Sequence, residues 1–167
     1  MAGERTQKTP RRVSAGILLF RVREGRLEVL LGHPGGPFFA KKDEGSWTVL
    51  KGEAYPGEEL PAVARREFAE ETGQEPPDDT MLELGEVRQR GGKTVVAWAL
   101  AGDLDPAEAR SNTFEMEWPP RTGRTGEFPE IDRVEWFDLQ TARKRILPAQ
   151  APFLERLERA IGAIPEG

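Results

Sequence analysis

The sequence has no cysteine, one histidine (His33) and one tyrosine (Tyr55) in 167 residues. Without cysteine there are no disulfides and no thiolate metal centres. A single imidazole rules out a site built on several histidines. Any metal held by this chain would take oxygen ligands, which suits hard cations such as Mg²⁺ or Mn²⁺. No stretch approaches the roughly 20 apolar residues of a membrane span, and no apolar run follows the basic Met1–Arg12 segment to make a secretory signal. These absences set the expectation of a cytoplasmic protein with no membrane partner. Basic excess is missing too: the net charge is −5, which argues against a nucleic acid duplex as partner.

What is present fits one compact domain with a real hydrophobic core. Residues 1–11, with Arg5, Lys8 and Arg11, read as a disordered basic tail, and residues 12–164 as a single domain. Arg12–Arg23 reads as a strand with Ile17–Phe20 as its buried run, and Glu24-Gly25 turns the chain into a second strand, Leu27–Leu31. His33–Ser46, rich in Gly, Pro and charge, reads as a loop, and Trp47–Leu50 as a short strand leading to Gly52. Leu60–Thr72 is helical: Leu60, Val63, Ala64 and Phe68 make one apolar stripe, Pro61 sits in the first turn, and Gly73 occupies the C′ position. Met81–Arg90 and Lys93–Leu104 read as strands joined at Gly91-Gly92. Thr113–Trp118 is a strand, Pro119–Pro129 a mobile loop and Val134–Phe137 a last strand. Asp138 is an N-cap for Leu139–Ile146, and Pro148–Ile161 is the final helix. Strands interleaved with few helices predict a mixed sheet sandwiched between helices, an α/β fold.

The segment Gly52–Gln74 carries the chemistry. Glu67, Glu70 and Glu71 fall at i, i+3 and i+4 of the predicted helix, so their carboxylates share one patch. One reading makes them ordinary solvated glutamates, since glutamate is a good helix former. Two penalties count against it. Like charges at i,i+4 cost roughly 0.2–0.5 kcal/mol per pair, and the helix dipole disfavours anions in the last turn by about 0.3–1 kcal/mol each. A divalent cation reverses both signs. Gly52, closing a strand before the helix, lets backbone carbonyls approach that cation. Metal ions neutralise phosphate oxygens and acidify water, and a carboxylate not committed to metal serves as general base. The cluster therefore points to hydrolysis of a phosphoanhydride.

The same segment resembles the signature of the Nudix hydrolases: G, five residues, E, seven residues, then REUxEExGU, where U is bulky and apolar. Here Gly52, Glu58, Arg66, Glu67, Phe68, Glu70, Glu71 and Gly73 match over 23 residues, and only Gln74 departs, at a packing position. The resemblance implies an α/β/α sandwich with the signature as a loop–helix–loop. It also implies roles. Glu67, Glu70 and Glu71 would hold Mg²⁺ or Mn²⁺ with a carbonyl near Lys51-Gly52, and Glu67 or Glu70 would activate water. Arg66 would orient the glutamates, with Glu58 fixing the loop through Arg66. A further acid would come from a distant loop, Glu127 or Glu130, with Glu130 preferred because it lies just before the final strand.

The flanks His33–Glu53 and Thr113–Arg124 resemble bacterial members related to diadenosine-polyphosphate and nucleoside-triphosphate hydrolases. Leu50 stands where most such relatives have proline. Gln89–Gly91 lacks the proline that often marks ADP-ribose hydrolases, which speaks against that substrate. The expected substrate is a small nucleotide, most of all a dinucleoside polyphosphate such as diadenosine tetraphosphate. A (d)NTP pyrophosphohydrolase is the alternative, and a catalytically silent nucleotide-binding module the third reading.

Other residues stay open between two roles. Lys51 and Lys42 could contact phosphate, as could Lys41. Arg121 and Arg124 could clamp it or simply solubilise the loop. Trp118 and Tyr55 are stacking candidates. Trp47 reads as core before base platform, and His33 as a structural hydrogen bond before a phosphate contact.

Overall fold

The computed structural model describes residues 12–162, so the expected tail at 1–11 and residues 163 and 164 of the expected domain lie outside the described residues. The apolar run of the first strand, β1 (Val13–Arg23), is long enough to serve two faces. Side chains alternate across a strand. Ala15, Ile17 and Leu19 turn to one face, where they meet Val63, Ala64 and Phe68 of helix α1 (Leu60–Thr72). Leu18 turns to the other, among Leu139 and Ala142 of α2 (Leu139–Arg145) and Phe153, Leu154 and Leu157 of α3 (Pro152–Gly162). Burying each of the larger of these side chains, Val, Leu, Ile or Phe, is worth about 1.5–3 kcal/mol. The result is a sheet with helices on both faces.

That sheet runs β4–β5–β1–β2–β8, with β3 (Leu50–Glu53) also paired to β1. Here β2 is Arg26–Pro34, β4 Leu82–Arg88, β5 Thr94–Ala101 and β8 Ile131–Asp138. β1 and β5 are parallel and the other pairings antiparallel, so the sheet is mixed, as the sequence predicts. One edge of β1 is divided: Ser14–Ile17 pair with β3, and Phe20–Arg23 pair with β2. Beyond the division β2 and β3 part, and β2 meets the segment ahead of β3 at an isolated Gly32–Thr48 bridge.

Differences from the sequence reading have local causes. β2 continues through His33 and Pro34 because both pair with β8. The short strand lies at Leu50–Glu53, while Trp47 and Thr48 make isolated bridges instead. Thr125–Pro129, expected in a mobile loop, is strand β7, paired with β6 (Thr113–Glu117) as a separate two-stranded ribbon. Phe128 opposite Phe114, rings 6.1 Å apart, supplies its apolar contact. Finally, Pro148–Gln150 form their own 3-10 turn, and Pro152 opens α3, where its missing N–H costs nothing.

Candidate active site

The sequence builds α1 from its apolar stripe and stops it with Gly73, whose φ of 74° puts it in the left-handed region, its N–H donating to the Ala69 carbonyl at 2.8 Å. The three glutamates therefore sit in the last two turns, and no basic residue accompanies them in the last. Facing them is β3, fixed by its register with β1. A Cβ on Gly52 would overlap the Glu67 carboxylate; only glycine lets this strand and this acid come so close. The Lys51 N–H donates to Glu71 Oε1 at 3.1 Å.

Arg66 braces the cluster. Its guanidinium pairs with Glu58, reaches Glu67 Oε2 at 3.5 Å and Glu70 Oε2 at 3.7 Å. Glu58 in turn accepts the Tyr55 N–H at 2.7 Å, so the loop before α1 is tied to the helix. Arg66 and then that N–H hold the Glu58 carboxyl below its ordinary value.

The acids behave as one electrostatic unit. Burial first, then repulsion from Glu70, pushes Glu67 up. Glu71, 7% exposed, is pushed well above the ordinary carboxylate range by burial, against the pull of Lys51 and with repulsion from Glu67 and Glu130. Burial raises Glu130 as well, opposed by Lys51, and burial lowers Lys51 itself, opposed by Glu71.

Glu130 reaches this cluster through a backbone bridge. The Asn112 N–H donates to the Glu70 carbonyl at 2.8 Å, and the Glu130 N–H donates to the Asn112 carbonyl at 2.9 Å. The Arg110 N–H caps the Thr72 carbonyl at 2.8 Å, and the Gly35 N–H donates to the Glu130 carbonyl at 2.9 Å. Glu127, the other candidate, points into the ribbon, where it accepts the Thr113 hydroxyl at 3.1 Å.

The donor set suits a hard divalent cation: clustered carboxylates, backbone carbonyls of β3 close by, and a glycine cradle beneath Glu67. As the side chains stand, no three acids or imidazoles among the described residues are close enough to share one ion. Arg66 draws Glu67 and Glu70 toward itself, and the Lys51 N–H holds Glu71.

A cavity of about 360 Å³ opens beside the cluster. Lys51, Glu71 and Glu130 line one part of it, and Phe39, Val49 and Leu147 give it an apolar wall. Lys42 lies next to it, its ammonium 5.4 Å from the Phe39 ring. Tyr55, Trp118 and Arg121 are not in its walls. Tyr55 is 68% exposed on the signature loop, Arg121 lies in the β6–β7 turn with φ 62°, and Trp118 stands edge-on to Phe38, ring centres 5.4 Å apart.

The two residues expected to be structural are so. Trp47 is fully buried and its indole N–H donates to Asp43 at 2.9 Å. His33 is fully buried between Asp132 (2.9 Å) and the Lys42 carbonyl (2.6 Å). Sequence reading missed Phe39, Gln89 and the Asn112 bridge. Two of these depend on contacts between distant segments, and Phe39 differs from any other loop aromatic only by its position on the cavity.

A sequence model of the NUDIX domain matches residues 10–157. The fold is similar to an Ap4A hydrolase of C. elegans in a binary complex, with TM-score 0.65 and 22% identity over 92% of this chain and 99% of that one. It is also similar to the NUDIX domain of Shewanella oneidensis NrtR bound to ADP ribose, with TM-score 0.65 and 17% identity over 95% and 92%. A mutT/nudix family protein of Listeria innocua gives TM-score 0.61 and 18% identity over 93% and 96%. No curated protein matches the sequence. At these identities the structures speak for the fold, while the domain match spans nearly the whole chain. The chain belongs to the Nudix family and is a Nudix pyrophosphohydrolase, of a kind that generally needs divalent metal ions.

Proposed function

We propose that this enzyme hydrolyses a phosphoanhydride in a dinucleoside polyphosphate, diadenosine tetraphosphate being the representative substrate. The observation that carries the reading is the two-part cavity, apolar at Phe39, Val49 and Leu147 and ionic at Lys51, Glu71 and Glu130. A nucleoside fits the first part and its phosphates the second. The aromatic surface continues outward from Phe39 to Phe38, which is 58% exposed, and on to Trp118. A second nucleoside can stack there, which favours a substrate with two. A volume of about 360 Å³ is small for a binding site and suits one nucleoside, so a (d)NTP is the second reading.

Glu67, Glu70 and Glu71, with a carbonyl at Lys51 or Gly52 and with Glu130, would hold Mg²⁺ or Mn²⁺. The ion supplies charge neutralisation and a more acidic water. Glu67 or Glu70 takes the proton as the water oxygen bonds to phosphorus and the bridging P–O bond breaks. Arg66 and Glu58 keep those carboxylates in place. Lys51 is the phosphate contact, joined by Lys42, while Trp118, Arg121 and Tyr55 meet the outer end of the longer substrate.

Chromatographic product analysis tests this. The protein is offered diadenosine tetraphosphate, nucleoside triphosphates and ADP-ribose with Mg²⁺ or Mn²⁺, and with a chelator as control. Chelator-sensitive cleavage of diadenosine tetraphosphate ahead of the others is the expected result. Faster cleavage of a triphosphate moves the substrate to the second reading, and failure to cleave any dinucleotide overturns the first.

A further inference from the structure

One wall of the same cavity carries a polar device that the reaction does not use. Gln150 is fully buried in the 3-10 turn before α3. Its amide orientation is settled by a group that can only donate: the Val49 N–H, 2.9 Å from Gln150 Oε1. Gln150 Nε2 is thereby the donor of the pair, and it donates to Thr48 Oγ1 at 2.9 Å and to Gln89 Oε1 at 2.8 Å. Gln89 sits in the connection between β4 and β5, and it lines the cavity beside Thr48 and Val49. With its oxygen turned to Gln150, Gln89 presents Nε2 as its donor. Among the described residues no hydrogen bond occupies that nitrogen. A backbone N–H in the strand connection thus fixes, through a buried amide, the polarity of a second amide at the cavity wall.

We propose that Gln89 is a specificity residue: its Nε2 donates to an acceptor on the edge of the bound nucleobase, a ring nitrogen or an exocyclic carbonyl. The inference rests on the reading of this cavity as a nucleoside site. Phe39 and Leu147 supply apolar surface for the ring, and Gln89 supplies the one donor of fixed direction. Gln150 acts through Gln89 and touches no ligand, so it is a positioning residue. A ribose hydroxyl would not need such a device, because a hydroxyl can donate or accept and tolerates either end of the amide.

Two variants separate these cases. Gln89→Glu keeps the shape and the oxygen that Gln150 binds, but it turns the donor into an acceptor. Gln89→Met removes the donor without adding charge. Binding of ADP and of inorganic tripolyphosphate, both with Mg²⁺, is measured by titration calorimetry on the parent and both variants. Loss of a donor opposite a buried acceptor is worth about tenfold in affinity. Both variants should bind ADP about tenfold or more weakly and bind tripolyphosphate within about twofold of the parent. Gln89→Glu, which keeps the oxygen that Gln150 binds, should melt near the parent temperature, and Gln89→Met, which removes it, somewhat lower. Unchanged ADP affinity in both variants overturns the role of Gln89 and leaves the nucleoside site standing. So does loss of ADP binding in Gln89→Met alone, which is the pattern of a hydroxyl contact. Equal losses for ADP and tripolyphosphate in Gln89→Glu alone would show added charge and nothing more, and overturn it too. If the parent holds ADP no better than tripolyphosphate, the nucleoside site falls, and the role of Gln89 with it.

Discussion

Helices α1 and α2 lie on opposite faces of the sheet and treat their own dipoles in opposite ways. α2 has Asp138 at its N-cap, accepting the Thr141 N–H at 2.7 Å, and Arg143, Lys144 and Arg145 in its last turn. That backbone bond holds the Asp138 carboxyl below its ordinary value. Each feature favours the helix. α1 has Glu59 at its N-cap with no side-chain bond, no acid in the first turn and no base in the last. Its acids stand where the dipole repels them. α2 follows the local rules at both ends, whereas α1 draws its stability from Val63, Ala64 and Phe68 and carries at its carboxyl end the acids that we propose as metal ligands. A helix that breaks the local rules beside one that follows them marks the place where function is kept.

The largest effect expected from this contrast is on turnover. Glu70→Gln and Glu71→Gln should each lower kcat by about 100-fold or more, the scale of losing a positioned acid or base, without unfolding the domain. Near-normal activity in both would sink the site assignment. Glu71→Gln should also change the pH dependence of stability. Burial raises the folded-state value of Glu71 above its ordinary 4.5, so folding favours the neutral form. The stability it contributes is full below pH 4.5 and is lost as pH rises through the raised value. An uncharged amide at this position has no such loss. In metal-free buffer the variant should therefore gain on the parent in melting temperature from pH 4.5 upward, by about 2–4 °C per kcal/mol. A gap that does not change with pH would show Glu71 to be ionised without cost.

Gly52→Ala should come next. Its methyl group would push the Glu67 carboxylate from its place, and a displacement of about 1 Å is enough to cost up to 100-fold in rate. Overpacking there should also cost about 1–3 kcal/mol of stability, read from denaturant unfolding. Full activity in this variant would mean that the approach of β3 to Glu67 is incidental. The smallest effect belongs to α2. Asp138→Ala should cost about 0.5–2 kcal/mol by losing the cap, with turnover within about twofold of the parent. A larger loss of activity than of stability would erase the distinction between the two helices.

The parts of this molecule that are written in short spacings were legible in its sequence. The bounds of α1, its glycine stop, the Asp138 cap and the signature glutamates all follow from residues within a few positions of one another. The β1–β2 hairpin was legible too, through Glu24-Gly25. What stayed hidden depends on partners far along the chain. β7 looked like a loop because Gly126 and Pro129 are poor strand residues, and only its pairing with Phe114 and its neighbours makes it extended. Gln89 and Gln150 are 61 positions apart, and neither type nor spacing announces that they meet. Gln74, the one departure from the signature, has its amide nitrogen buried without a hydrogen-bond partner, which a sequence cannot show.

The divided edge of β1 has a consequence for how such a protein can change. Residues 35–46 leave from the end of β2 and return ahead of β3, so they hang from the gap between two strands and belong to neither ladder. Phe39, on the cavity wall, is among them, and so are Phe38 and Lys42. The side chains of Phe38, Phe39 and Lys42 take no part in the β1–β3 pairing, so exchanging them leaves the seat of Gly52 under Glu67 in place. If the cavity is the substrate site that we propose, these three positions are where selection can revise which molecule is admitted while leaving the glutamates unaltered, as a lathe accepts a new chuck without a new motor.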